Sequence, residues 1–361
     1  MKVGKRFFVL SFLLVLSLLL HIFSSYTNLV ETYYSNGFYK HYSAVLRAMT
    51  GWIPFSLGDL LYGGFFVWII WKLIRRLRGR RKAKASPNNG QRGDLVYKIL
   101  VMLCLMYLVF NISWGINYNR SGIATQLGLK MQNYSVTELH KLNCLLVEKV
   151  VASKQILTRQ KSVYPQNTQL FKKVSEAYKQ AGKQYTFITY SPPSMKSSLW
   201  GWLGNYTGFT GYYNPFTGEA QVNTTVPKFL QPFVACHEGA HQAGYAKEQE
   251  ANFVGYLAAS VSPDTLFHYS VYLDLFVYAN RNLYRTDSSA AKLYVKDLGL
   301  SVLKDLKEWK EFNRRHKSPL EPVFRTVYGV FLRSNQQPEG LLSYDEVTGF
   351  MIAYYKKFGR I

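Results

Sequence analysis

Hydrophobic positions are spread unevenly along the chain. Long apolar stretches fall in the first third, at about residues 7–24 (FFVLSFLLVLSLLLHIFS), 57–74 (LGDLLYGGFFVWIIWKLI) and 96–116 (VYKILVMLCLMYLVFNISWGI). Each approaches the ~20 residues a helix needs to cross ~30 Å of hydrocarbon. The first follows MKVGKR and would suit a cleaved signal, but no small-x-small site follows it, so an uncleaved anchor is expected. Asp59, near the start of the second, is expected at the membrane interface with its charge hydrated.

Beyond residue 118 the period changes. Residues 135–157 open with S-x-x-E, a capping-box pattern, and place Leu139, Leu142, Leu146 and Val150 at helical spacing. Further helices are expected at 169–181, 232–242, 247–260, 263–284, 290–312, 320–333 and 344–358. Residues 185–225, rich in Gly, Tyr, Trp, Thr, Asn and Pro, predict loops and short strands. The final apolar run, FMIAYYKKFGRI, is too short to span a bilayer. The fold class is therefore mainly α. Three transmembrane helices in residues 1–118 precede a predominantly helical domain with a small β and loop region in 119–361.

Charge gives this arrangement a direction. Lys and Arg number 44 against 21 Asp and Glu, a net +23. Arg75, Arg76, Arg78, Arg80, Arg81, Lys82, Lys84 and Arg92 crowd the segment between the second and third stretches. The segment between the first and second has only Lys40 and Arg47. The positive-inside rule then places the N-terminus and residues 75–95 in the cytoplasm of a bacterial cell. An odd number of spans leaves 119–361 on the periplasmic side of the inner membrane. The basic segment lacks interleaved aromatics and lies between two spans, so residues 75–92 suit anionic lipid headgroups and not nucleic acid. Hydrophobic residues make up 48% of the chain, yet mean hydropathy is only −0.10, so the apolar excess is local. The cysteines, Cys104, Cys144 and Cys236, share no C-x-x-C spacing and predict no disulfide framework.

The chemistry gathers in PFVACHEGAHQAGYAKEQEANFVGYL, residues 232–257. It contains H-E-x-x-H as His237, Glu238 and His241. On a helix, residues four apart share a face, so both imidazoles reach one Zn²⁺. Glu238 beside them suits a general base that takes a proton from a metal-activated water. Such a motif arises by chance in about one chain in a hundred of this length. The nearby acids Glu248 and Glu250 both stand as candidate third ligands. His268 is a candidate oxyanion stabiliser, as are Tyr269 and Tyr272. Residues 212–223 are a candidate edge strand for binding a substrate backbone, and Glu219 is a cleft acid or a turn residue.

The stretch E-x-x-A-N resembles the E-x-x-A-D signature of gluzincin metallopeptidases. That resemblance implies Glu248 as zinc ligand and Asn252 as the partner of a ligand histidine, with Asn in place of the usual Asp. HEGAHQAGYAK also resembles the metzincin pattern as far as Gly244, but Lys247 stands where the third histidine would be, and an ammonium cannot ligate zinc. Over nearly its full length the chain resembles an uncharacterised family of bacterial membrane proteins with three N-terminal spans, H-E-x-A-H-Q-x-G and E-x-E-A-N-F. It matches at residues 237–242, Gly244 and residues 248–253, with GYYNPFTGEAQVN ahead of them. The resemblance implies a zinc-dependent peptidase acting on peptide or protein substrates. The alternative is a zinc-stabilised binding or scaffold protein without turnover. Glu238 separates the two, since a purely structural site needs ligands and no base.

Overall fold

A computed structural model describes residues 2–80 and 89–361. Arg81, Lys82 and Lys84 of the basic segment lie outside the described residues. Helices α1 (Lys2–Ser24), α3 (Leu57–Arg80) and α4 (Asn89–Ser113) are long and apolar enough to cross a membrane over Gly4–Ser24, Leu57–Arg78 and Gly93–Ser113. The third stops short of residue 116. Trp114 leaves helical backbone at φ −158°, and a 3₁₀ turn, Gly115–Asn119, follows.

Residues 26–56, between the first two apolar stretches, are structured. They form a π-helical segment, Val30–Phe38, and helix α2 (Tyr39–Thr50), both packed on the body of the protein. Arg47 is buried and donates through Nε to Pro192 O at 2.7 Å and through Nη1 to Gln242 O at 3.3 Å. Lys196 Nζ donates to Gly51 O at 2.9 Å and also to Ile53 O. Arg120 forks onto Glu31 at 3.1 and 2.8 Å and reaches Gly244 O at 3.0 Å. Burial works against the Glu31 charge, but the Arg120 hydrogen bonds and charge hold its carboxyl below the usual range.

The body is helical: α5 (Val136–Arg159), α6 (Asn167–Gly182), α7 (Gly201–Thr207), α8 (Gln231–Gln242), α9 (Glu248–Ser260), α10 (Thr265–Thr286), α11 (Ser288–Asp297), α12 (Gly299–Arg315), α13 (Leu320–Ser334) and α14 (Val347–Phe358). The capping box forms as expected: Ser135 Oγ accepts from the Glu138 amide at 3.2 Å, and Glu138 Oε2 from the Ser135 amide at 2.8 Å. The Leu139, Leu142, Leu146 and Val150 stripe is buried in the core. The helix expected over 290–312 is two, because Gly299 takes a left-handed φ of +77° between α11 and α12. The terminal apolar run folds as α14, with Phe350, Met351, Ile352 and Tyr354 buried in the core.

Strands β1 (Met195–Ser197), β2 (Gly211–Asn214) and β3 (Glu219–Val222) form one sheet in the order β1-β3-β2, with β3 parallel to β1 and antiparallel to β2. The sheet docks on the start of α3. Glu219 is neither a turn residue nor a cleft acid: it is fully buried and accepts from the Leu57 and Gly58 amides at 3.2 and 2.6 Å, capping that span. Asp59 is likewise fully buried, so its charge is not hydrated as expected. It accepts from the Leu199 amide at 2.6 Å and the Tyr212 hydroxyl at 2.5 Å. Protein donors replace the water a carboxylate needs.

Candidate metal centre

Helix α8 carries the two histidines. Pro232 stands in its first turn, where the missing N–H costs no helical bond. Its far end closes with a Schellman turn: Tyr245 N donates to Ala240 O at 3.1 Å, Gly244 N donates to His241 O at 2.9 Å, and Gly244 sits at φ +89°. That turn reverses the chain within six residues and sends α9 back across α8. Gln337 Oε1 accepts from the Glu248 amide at 2.9 Å and so satisfies the first turn of α9.

His237, His241 and Glu248 thereby bring one ligand-type atom each to within 4.8 Å of one another. Glu248 Oε2 lies 3.1 Å from His237 Nε2 and 3.7 Å from His241 Nε2. The other ring nitrogens are engaged: His237 Nδ1 meets Asn252 Oδ1 at 2.8 Å, and His241 Nδ1 meets Tyr245 O at 2.7 Å. Both partners are acceptors, so each ring donates its Nδ1–H to them and faces Glu248 with Nε2. Glu248 Oε1 accepts from the Tyr328 hydroxyl at 2.5 Å. Burial opposes the Glu248 charge, but the two imidazoles hold its carboxyl well below the usual range. Burial likewise opposes protonation of His241, yet Glu248 raises it to about 9.

Glu238 lies beside this cluster, and its Oε2 is buried with no hydrogen-bond partner. Burial, with a contribution from Glu248, raises its carboxyl to about 7 against the pull of the imidazoles. The cluster opens into a cavity of about 510 Å³. Edge strand β2 forms one wall through Gly211, Tyr212 and Tyr213; it begins one residue before the expected segment 212–223, the rest of which forms a turn and the central strand β3.

Glu250, the alternative ligand, is excluded from the cluster. Two residues on from Glu248 it points to the other side of α9, where a Cβ on Gly122 would meet its Oε1 at 2.2 Å. Asn252, four on, shares the Glu248 face. Lys247 stands at the N-cap of α9 and contributes nothing to the cluster. His268 does not line the cavity; it lies in the first turn of α10, held to the backbone of Ser262 and Ser260, and burial lowers its affinity for protons. Tyr269 is turned to Asp305, at 2.5 Å, and Tyr272 also lies outside the cavity. In their place α10 presents Asp274 and Tyr278, and α13 presents Arg325 and Tyr328. Asp274 was visible as the lone acid in LFHYSVYLDLFVYAN. Tyr328 carried no local signal.

These features define a class: a mainly helical chain with three apolar N-terminal helices and a buried His-His-Glu cluster at the floor of an aromatic cavity. The chain belongs to the family described as a protein of unknown function (DUF3810), whose model matches residues 34–352 and so takes in two of the apolar helices and the whole cluster. No curated protein and no solved structure matches it.

Proposed function

We propose that this chain is a membrane-anchored zinc-dependent peptidase. The observation that carries the reading is the convergence of His237 Nε2, His241 Nε2 and Glu248 Oε2, with both Nδ1 atoms tied to acceptors, next to the Glu238 carboxylate, whose buried Oε2 has no hydrogen-bond partner. Zinc fits the chemistry of this donor set. The 3.1 and 3.7 Å separations bracket the roughly 3.3 Å between ligand atoms 2.0–2.1 Å from a tetrahedral ion. Bound zinc supplies Lewis acidity, which polarises a carbonyl and acidifies water.

The side chains do the rest. Glu238 accepts a proton from the attacking water. The water oxygen joins the acyl carbon as the C–N bond breaks, and the proton passes to the departing nitrogen. The products are a carboxylate and an amine. The outer edge of β2, with no strand beside it among the described residues, offers main-chain groups to an extended substrate. We place the N-terminus and residues 75–95 in the bacterial cytoplasm, with the basic segment near anionic headgroups, and the body in the periplasm. The sparse Lys and Arg of the opposite connection, Lys40 and the buried Arg47, support that orientation.

The test is elemental analysis of the purified full-length chain together with cleavage of a peptide mixture. Wild type should hold one zinc and cleave, and His237→Ala/His241→Ala should hold none. Equal zinc in both would overturn the metal assignment. Zinc without cleavage in any peptide would favour a binding protein.

A further inference from the structure

Helix α13 presents two faces with different neighbours, one of them polar and aromatic and the other apolar. Glu321, Arg325, Tyr328 and Phe331 line the cavity. Leu320, Val323, Val327 and Val330 form an adjoining exposed stripe, flanked by Phe324, whose ring meets Phe209 edge-on at 6.3 Å; Val327 is 64% exposed. Such a stripe along three turns of one helix calls for an occupant. Both ends of α13 are linked to the apolar N-terminal helices. Phe331 packs edge-on against Phe110 of α4 at 6.0 Å. At the other end, Ser318 Oγ donates to Tyr206 O at 2.7 Å, joining α13 to α7. Beside α7, Trp200 Nε1 donates to Asp59 O of α3 at 3.1 Å. Trp202 on α7 and Trp52 before α3 are both exposed, as aromatics of an interfacial belt are.

Depth agrees. The span Leu57–Arg78 has 22 residues, about 33 Å at 1.5 Å per residue, little more than the hydrocarbon core. Its first turn therefore sits at the boundary. Tyr62, five residues further along, lines the cavity about 7.5 Å below that turn. An interfacial amphipathic helix seats its apolar face about 5–10 Å into the same zone.

We propose that the outward stripe of α13 lies in the surface of the bilayer that α1, α3 and α4 cross. The cavity mouth then opens at the lipid boundary, beside Phe324 and Tyr62. Resting on the peptidase reading, this makes the substrate a polypeptide segment held at the membrane by a lipid chain or a transmembrane helix. Tyr328 couples the two roles, since the helix that meets lipid also carries the hydroxyl bonded to Glu248.

The test uses the full-length chain in phosphatidylethanolamine–phosphatidylglycerol nanodiscs, with Cys104, Cys144 and Cys236 replaced by Ala. Nitroxides are attached at Val323→Cys, Val327→Cys or Val330→Cys, with Leu300→Cys, at a position 88% exposed, as the aqueous control. Collision with oxygen and with a water-soluble nickel chelate should place the three positions about 5–10 Å below the phosphates and the control in water. Chelate access equal to the control would overturn the proposal. Shielding from both reagents would also overturn it, because a protein partner would then cover the stripe. A second arm compares one peptide mixture with and without an N-terminal palmitoyl chain. At least tenfold faster cleavage of the anchored form is expected, and Val323→Asp/Val327→Asp should erase that preference while sparing the free form. Equal rates in wild type would overturn the substrate class. Cleavage of neither would sink the peptidase reading, with the nitroxide result standing on its own.

Discussion

Gly211 gives the sharpest test of the arrangement around Glu238. It lies on the cavity-lining strand β2 and is not among the glycines with left-handed backbone, so alanine is conformationally permitted there. What opposes alanine is space. A Cβ at this position would stand 2.4 Å from Glu238 Oε1 and 2.8 Å from its Cδ and Cγ. Ordinary contact is about 3.5 Å, so the carboxylate must retreat by roughly 1 Å. Overpacking of this kind costs about 1–3 kcal/mol, and the lower end applies because the obstacle is a side chain that can swing. A 1 Å misplacement of a reacting group can slow chemistry by about 10²-fold. Gly211→Ala should therefore keep its zinc, lose only a few degrees in Tm, and cleave a fluorogenic peptide roughly 100-fold more slowly in kcat. Full turnover in this variant would refute the assignment of Glu238 as base. Loss of zinc would show that the strand bears on the ligands and not on the base.

Glu238→Gln should retain zinc and lose about 10²–10⁴ in rate, whereas Glu248→Ala should lose the metal and Glu250→Ala keep it; metal loss only in the Glu250 variant would move the ligand assignment. Asn252→Leu removes the acceptor on His237 Nδ1 and should weaken zinc about 10–100-fold in chelator competition, with Asn252→Asp restoring it. Arg120→Met leaves Glu31 without its charged partner and should cost about 3 kcal/mol at neutral pH by thermal unfolding. The folded Glu31 carboxyl lies below the unfolded value of 4.5, so the pair stabilises above that pH and its contribution fades as pH falls through the folded value; the variant should show a weaker loss there. In spheroplasts an impermeant maleimide should label the exposed Cys144, whereas labelling only after lysis would invert the proposed topology.

Much of the fold was legible because its signals are local. The three apolar stretches, the capping box at Ser135 and the i, i+4 pair of His237 and His241 each lie within one turn or one span. Glu248 and Asn252 were indicated only by the resemblance of E-x-x-A-N to the gluzincin signature, since residue type alone left Glu248 and Glu250 both open. What escaped depended on distant partners. Asp59 looked like an interfacial charge because the amide of Leu199 and the hydroxyl of Tyr212 that replace its water come from far along the chain. Tyr328 reaches Glu248 across 80 residues, and Tyr245 serves His241 through a carbonyl that any residue would supply. The break at Gly299 was missed because a single glycine within a helical period carries no sign of its φ.

The placement of Tyr39 and Arg47 has a consequence for synthesis. Tyr39 donates to His241 O and Arg47 to Gln242 O, across sequence separations of 202 and 195 residues. At about 5–20 residues per second, the ribosome delivers α8 some 10–40 s after the segment that will brace it. During that interval two more long apolar helices are made while a buried-to-be guanidinium and its neighbours wait for their partners. The centre is thus completed last by pieces made first, and a fragment beginning after the third span would lack the brace altogether.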